Sequence, residues 1–213
     1  MAKAGAWLKM FLEHGMASWM ILTAALVLVV IGLERIYFLY FQKSYDSSAA
    51  LKAVKDLVLK RDYTKAIQIC NSNEGNPELE CIKLGLLSLE NGREAIKSSL
   101  GAAVMEISHE CEKRLPIVSL IASASTLLGL FGTILGLMQT FEAIANADSA
   151  EKGKMLGEGI ATAMNSTAVG LVVAILAMIV HTVCVTKSDS ITGKSQTAGF
   201  NLVTWIEQSE RSS

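Results

Sequence analysis

Three stretches of the chain run without charge for long enough to cross a lipid bilayer. Residues 15–33 (GMASWMILTAALVLVVIGL), 115–141 and 159–186 contain no Asp, Glu, Lys or Arg. A spanning helix needs about 20 mostly apolar residues, so each predicts one crossing. The second and third are longer than the hydrocarbon requires, which predicts tilt or helices that continue beyond it. Ahead of the first, Trp7, Leu8, Met10, Phe11 and Leu12 are interrupted by Lys9 and Glu13. That spacing suits a short amphipathic helix at the membrane surface rather than a cleaved leader.

Between the first two spans the apolar positions take a helical period. SSAALKAVKDLVLKR places Leu51, Val54, Leu57 and Val58 on one stripe. RDYTKAIQIC opens on Asp62, a suitable N-cap, before Ala66, Ile67 and Ile69. NSNEGNP has turn composition. ELECIKLGLLSLENG starts after Pro77 and is expected to end near Gly92. REAIKSSLGAAVMEISHECEKRL then runs toward Pro116, which lacks a donor and is expected to adjust the helix at the membrane. FNLVTWIEQSERSS reads as a short amphipathic end. The fold class is therefore an all-α membrane protein with three transmembrane helices and a helical cytoplasmic domain, its long helices extending from membrane into cytoplasm. The expected divisions are an N-terminal segment 1–14, spans 15–41, 115–144 and 158–186, a cytoplasmic domain 42–114, a periplasmic loop 145–157 and a C-terminal helix or tail 187–213.

Composition agrees. Of 213 residues 51% are hydrophobic and 18% charged, where a soluble domain carries about 25% charge. A net charge of −1 offers no nucleic-acid surface. Cys70, Cys81, Cys111 and Cys184 have no CxxC spacing and read as reduced thiols. The sequence shows no nucleophile with a base, no metal-ligand cluster and no phosphate loop, so it does not read as an enzyme and predicts no cofactor. Arg35, Lys43, Lys113, Arg114 and Lys187 flank one membrane face. By the positive-inside rule that face is cytoplasmic, placing the N-terminus outside and the C-terminus inside.

The chemistry lies in the second and third spans. Ser119, Thr126, Thr133 and Thr140 recur every seven residues, with Ser123 on the same side, forming a shallow helical stripe. Gly129, Gly132 and Gly136 lie beside it, and Gly132 with Gly136 has the small-xxx-small spacing that lets backbones approach. Thr162, Asn165, Ser166 and Thr167 crowd the start of the third span. An amide such as Asn165 is costly in lipid and should face protein or water. Such residues pack membrane helices without any ion moving, or they line an ion path. With no acid inside either span, a titrating carboxylate for such a path would come from another chain.

These residues resemble the MotA/TolQ/ExbB family of ion-driven motor proteins. LLGLFGTILGLMQTF at 127–141 matches its Gly-Leu-x-Gly-Thr-x-x-Gly core through Gly129, Leu130, Gly132, Thr133 and Gly136. GIATAMNSTAVGLVVAI at 159–175 matches the next span through Gly159, Ile160, Ala163, Thr167, Gly170 and Leu171. Glu34 with Arg35, RDYTKAIQIC and PELECIKLGLL are similar to the ExbB/TolQ branch. The resemblance implies a homo-oligomeric ring in the bacterial inner membrane, usually five copies, around a dimer of a single-span ExbD-, TolR- or MotB-like partner that supplies an Asp. It implies that Thr133 and Thr167 line the ion path, with Thr162, Asn165 and Ser166 as further oxygens. Gly129, Gly132, Gly136 and Gly170 would pack the ring. Proton flow would drive work on a periplasmic or outer-membrane load through a TonB- or TolA-like protein. The chain departs from many members in having Thr162 where they have Glu and Leu176 where they have Pro. A gliding-motility or flagellar-type stator subunit, driven by sodium, is one alternative; a non-conducting membrane scaffold is another.

Overall fold

The computed structural model describes residues 16–43, 48–145 and 147–211. The expected N-terminal amphipathic segment lies outside the described residues. The described residues form helices and no strand: α1 (Met16–Tyr37), α2 (Ser48–Leu59), α3 (Tyr63–Ser72), α4 (Pro77–Leu87), α5 (Arg93–Glu112), α6 (Leu115–Ala145) and α7 (Lys152–Arg211). A π-helical turn, Phe38–Gln42, follows α1, and a 3-10 turn, Leu89–Asn91, follows α4. Three segments are long and apolar enough to cross a membrane: Ser18–Phe41, Arg93–Ala145 and Lys152–Arg211.

The chain divides into two compact units. The first unit comprises the chain up to Leu33 together with Arg114–Thr182. Ile21 and Leu28 of α1 pack with Val118, Ile121 and Ala122 of α6 and with Val173 and Ala177 of α7. Large side chains point outward on the other faces, among them Leu120, Leu127 and Met138 of α6 and Val172, Leu176 and Ile179 of α7. An exposed apolar surface of this extent suits lipid or a neighbouring chain.

The second unit comprises Glu34–Lys113 and Val183–Ser213. Val54 and Val58 form the buried side of α2, with Leu51 and Leu57 half-buried, as the stripe predicts. Asp62 caps α3: its side chain accepts from Lys65 N at 3.3 Å and from Lys65 Nζ at 2.6 Å. Those bonds hold its carboxyl below the usual carboxylate range. Asn76 caps α4 by accepting from Glu78 N at 3.0 Å and Leu79 N at 3.4 Å, and Pro77 opens the helix where its missing donor costs nothing. Helix α4 stops at Leu87 rather than near Gly92, because the chain tightens into the 3-10 turn before reversing at Gly92, φ +89°. Arg61 donates to Ser209 O at 2.8 Å, and Arg93 pairs with Glu207 and Glu210, tying the early helices to the end of α7. Burial pushes the Cys70 and Cys81 thiols up to about 11.

Two features differ from the sequence reading. The helix entering the second span is interrupted before Pro116, not at it: Lys113 is extended and Arg114 adopts φ +70°. Pro116 is the second residue of α6, where a backbone donor has no partner to lose. The chain end is not a short separate helix, since α7 continues unbroken for 60 residues. Its buried side reads Cys184, Ser188, Ile191, Ser195, Ala198, Leu202, Ile206 and Ser209, a helical period in which serines take several turns. No proline interrupts it.

Candidate functional site

Helices α6 and α7 cross in the first unit with almost no side chain between them. A Cβ on Gly170 would stand 2.6 Å from the Ser125 carbonyl oxygen and 2.9 Å from Gly129 Cα. One on Gly129 would stand 3.1 Å from Thr167 Cα, and one on Gly136 would stand 2.8 Å from Ala163 Cβ. One on Gly159 would overlap the Thr140 side chain. The pairs Gly129/Gly170, Gly136/Ala163 and Thr140/Gly159 advance along α6 as they retreat along α7, so the helices are antiparallel with a fixed register. Small residues allow this approach, and membrane helices depend on such packing.

The close approach lets one hydroxyl bridge the helices. Thr167 Oγ1 donates to the Gly129 carbonyl at 3.0 Å. The stripe on α6 bonds within its own helix. Thr133 donates to Leu130 O at 2.6 Å, Thr140 to Gly136 O at 2.7 Å, Thr126 to Ala122 O at 3.3 Å and Ser123 to Ser119 O at 3.4 Å. Exposure falls along the stripe: Ser119 and Thr126 are exposed, Thr133 is half-buried and Thr140 is buried.

Beside the crossing, toward the loop that joins the two helices, lies a groove of about 370 Å³. Gly132, Gly136, Gln139, Thr140 and Ala143 line it from α6. Met155, Glu158, Gly159, Thr162, Ala163 and Ser166 line it from α7. The structure thus brings Thr162 and Ser166 together with Gly132 and Gly136. Thr133, Asn165 and Thr167 are not among its lining residues. Thr167 and Gly170 belong to the packed crossing, and Asn165 is half-buried on α7. Sequence reasoning passed over Gln139 and Glu158, which fall at the edges of the uncharged runs. It also passed over Ser125, fully buried, whose hydroxyl has no hydrogen-bond partner among the described residues. Among the described residues no three His, Cys, Asp or Glu side chains gather into a metal cluster. The groove offers neutral oxygens and one carboxylate, ligands that suit a small hard cation.

The family model for MotA/TolQ/ExbB proton channels matches residues 73–197, which include both helices of the crossing. The chain belongs to the MotA/TolQ/ExbB proton channel family. Among its relatives, the Tol-Pal system protein TolQ of Haemophilus influenzae is 37% identical over 89 residues, covering 40% of this chain and 39% of that protein. The biopolymer transport protein exbB1 of Vibrio cholerae is 34% identical over 82 residues, covering 38% and 36%. A putative ExbB homolog of Methanothermobacter thermautotrophicus is 26% identical over 175 residues, covering 82% and 61%. The matched region thus spans less than two thirds of each of these relatives' lengths, from 36% to 61%. The fold is that of a solved C. jejuni MotAB chain, with a TM-score of 0.68 at 15% identity, covering 97% of this chain and 86% of that one. The membrane and all-helical readings of this family member both follow from these likenesses and from its three apolar helices.

Proposed function

We propose that the chain is a subunit of a homo-oligomeric ring, five copies in the ExbB/TolQ manner, in the bacterial inner membrane. The ring encloses a dimer of a single-span partner that supplies a titrating Asp. Ion flow past the α6–α7 faces drives mechanical work on a periplasmic or outer-membrane load. The observation that carries this reading is the oxygen-lined groove beside the glycine crossing, in a chain of a proton channel family. A helix pair built only to pack would close that space rather than leave a groove of about 370 Å³ along the crossing. Thr162 and Ser166 supply oxygens to the path from the groove, and Thr133 and Asn165 supply theirs beyond its lining. Thr167 spends its hydrogen on Gly129 and so holds the helices in register while presenting its oxygen. Protons are the ion the family description supports; the extra oxygens at Thr162 and Ser166 make sodium the alternative. The N-terminus lies in the periplasm and the second unit in the cytoplasm, following the basic flanks Arg35, Lys43 and Lys187.

The test is reconstitution of the full chain, co-expressed with a single-span ExbD/TolR-like protein from the same genome, into liposomes under an imposed proton or sodium gradient. Cation flux above that of empty vesicles is expected, with Thr133→Val reducing it at least ten-fold while the complex still assembles. A correctly assembled complex that passes neither ion overturns the reading in favour of a non-conducting scaffold.

A further inference from the structure

The groove beside the crossing is graded along α7. Glu158, Thr162 and Ser166 all line it, and their four-residue spacing sets them on one face of the helix, spanning about 12 Å. The side chain of Glu158 is 70% exposed, Thr162 is half-buried, and Ser166 is 4% exposed. The sequence therefore runs from a carboxylate in solvent to a hydroxyl in the packed interior. Among the described residues that line the groove, Glu158 is the only acid and none carries a cationic side chain. Among the described residues it pairs with Lys154, 4.0 Å away, and both partners are largely exposed. A pair this open to water contributes little and leaves the carboxylate available to other cations. Opposite it, across the groove, stand Gln139 and Thr140 of α6. Thr140 is fixed by its bond to Gly136 O. No hydrogen bond ties the Gln139 amide or the Thr162 hydroxyl to another described residue.

We propose that Glu158 is the capture residue of the ion path: it concentrates a monovalent cation at the groove's mouth and passes it to the oxygens of Thr162 and Ser166. One negative charge at a cleft with low-dielectric walls raises the local cation concentration and the rate of entry. Neutral hydroxyl and amide oxygens then replace water as the ion loses its shell. Glu158 acts on entry rather than on passage through the ring, so it changes how much cation is needed and not how fast a loaded path turns over. This assignment rests on the channel reading above.

The experiment uses the same proteoliposomes, with flux measured against the concentration of the conducted cation on the side of the α6–α7 loop, at fixed ionic strength. Glu158→Gln is expected to raise the half-saturating concentration at least five-fold while lowering maximal flux less than two-fold. Glu158→Asp is expected to restore most of the affinity, and Glu158→Lys to weaken capture further than Gln does. A wild-type complex that conducts and a Glu158→Gln complex with unchanged half-saturation overturn the capture role alone. The same holds if maximal flux falls while half-saturation stays constant. A wild-type complex with no flux overturns the channel reading, and the capture role with it.

Discussion

Thr167 carries a bond between helices, and its two roles separate by substitution. Thr167→Val removes the donor to Gly129 O and is expected to cost about 1 kcal/mol, the usual net value of such a bond. Thr167→Ser keeps the donor and should stay within a few tenths of the wild type. Denaturation in detergent reads both; a loss in Thr167→Ser with none in Thr167→Val, which keeps the methyl, would show that the methyl group, not the bond, matters. Glycines divide in the same way. At Gly170 an added Cβ meets the Ser125 carbonyl and Gly129 Cα, backbone that cannot turn aside, whereas at Gly85 it meets the ends of the Leu100 and Leu202 side chains. Gly170→Ala should therefore prevent the α6–α7 crossing, seen as loss of the assembled complex. Gly85→Ala should assemble with a modest loss of stability.

The cysteines give a pH signature. Burial holds Cys70 and Cys81 near 11, against an ordinary 9.0. At pH 8 their thiolate is reduced on the order of a hundred-fold, so maleimide should label them slowly until the protein is unfolded. Above pH 9 the unfolded chain releases these protons and the folded chain keeps them, so stability should fall from about pH 9 to pH 11. Rapid labelling of the native protein at pH 8 would contradict this.

At the scale of the element, legibility followed the contrast between apolar and polar positions. Runs without charge mark α1, α6 and the first half of α7 because lipid excludes charge. Asp62 and Pro77 mark the starts of α3 and α4 because a cap and a donorless residue fit one place in a helix. The last part of α7 reads in the sequence as a separate short end rather than a continuation, because Ser188, Ser195 and Ser209 occupy its buried turns. Ser195 meets its own need by donating to Ile191 O at 3.0 Å. The groove was half legible. Thr162 and Ser166 stand out as hydroxyls in an apolar run, but Gln139 and Glu158 sit at its margins, where polar residues are ordinary. Leu202, with no exposed surface, anchors the hidden part of α7. Leu202→Ala should cost roughly 2–5 kcal/mol, measured by chemical denaturation; a loss below 1 kcal/mol would show that this stretch of helix is not seated on a core.

For the whole molecule, the proposed orientation puts the loop around Ser149 in the periplasm. A periplasm-active reporter fused at Ser149 should be active, and the same reporter fused after Arg211 should be silent. The opposite pattern would reverse the topology and place Glu158 on the cytoplasmic face. The matched relatives bear names from the Tol-Pal system and from biopolymer transport, and the family match at residues 73–197 contains the α6–α7 crossing.

The hydroxyl stripe on α6 has a polarity of its own. Thr126, Thr133 and Thr140 each point their hydrogen back into a carbonyl of the same helix, and each hydroxyl has only one hydrogen to give. What each has left to offer is lone pairs. A chloride or phosphate travelling along that face would meet oxygen after oxygen with no donor to receive it, while a cation would find ligands already aimed. On the proposed ion path, the way these hydroxyls are turned would favour a cation before any formally charged group takes part.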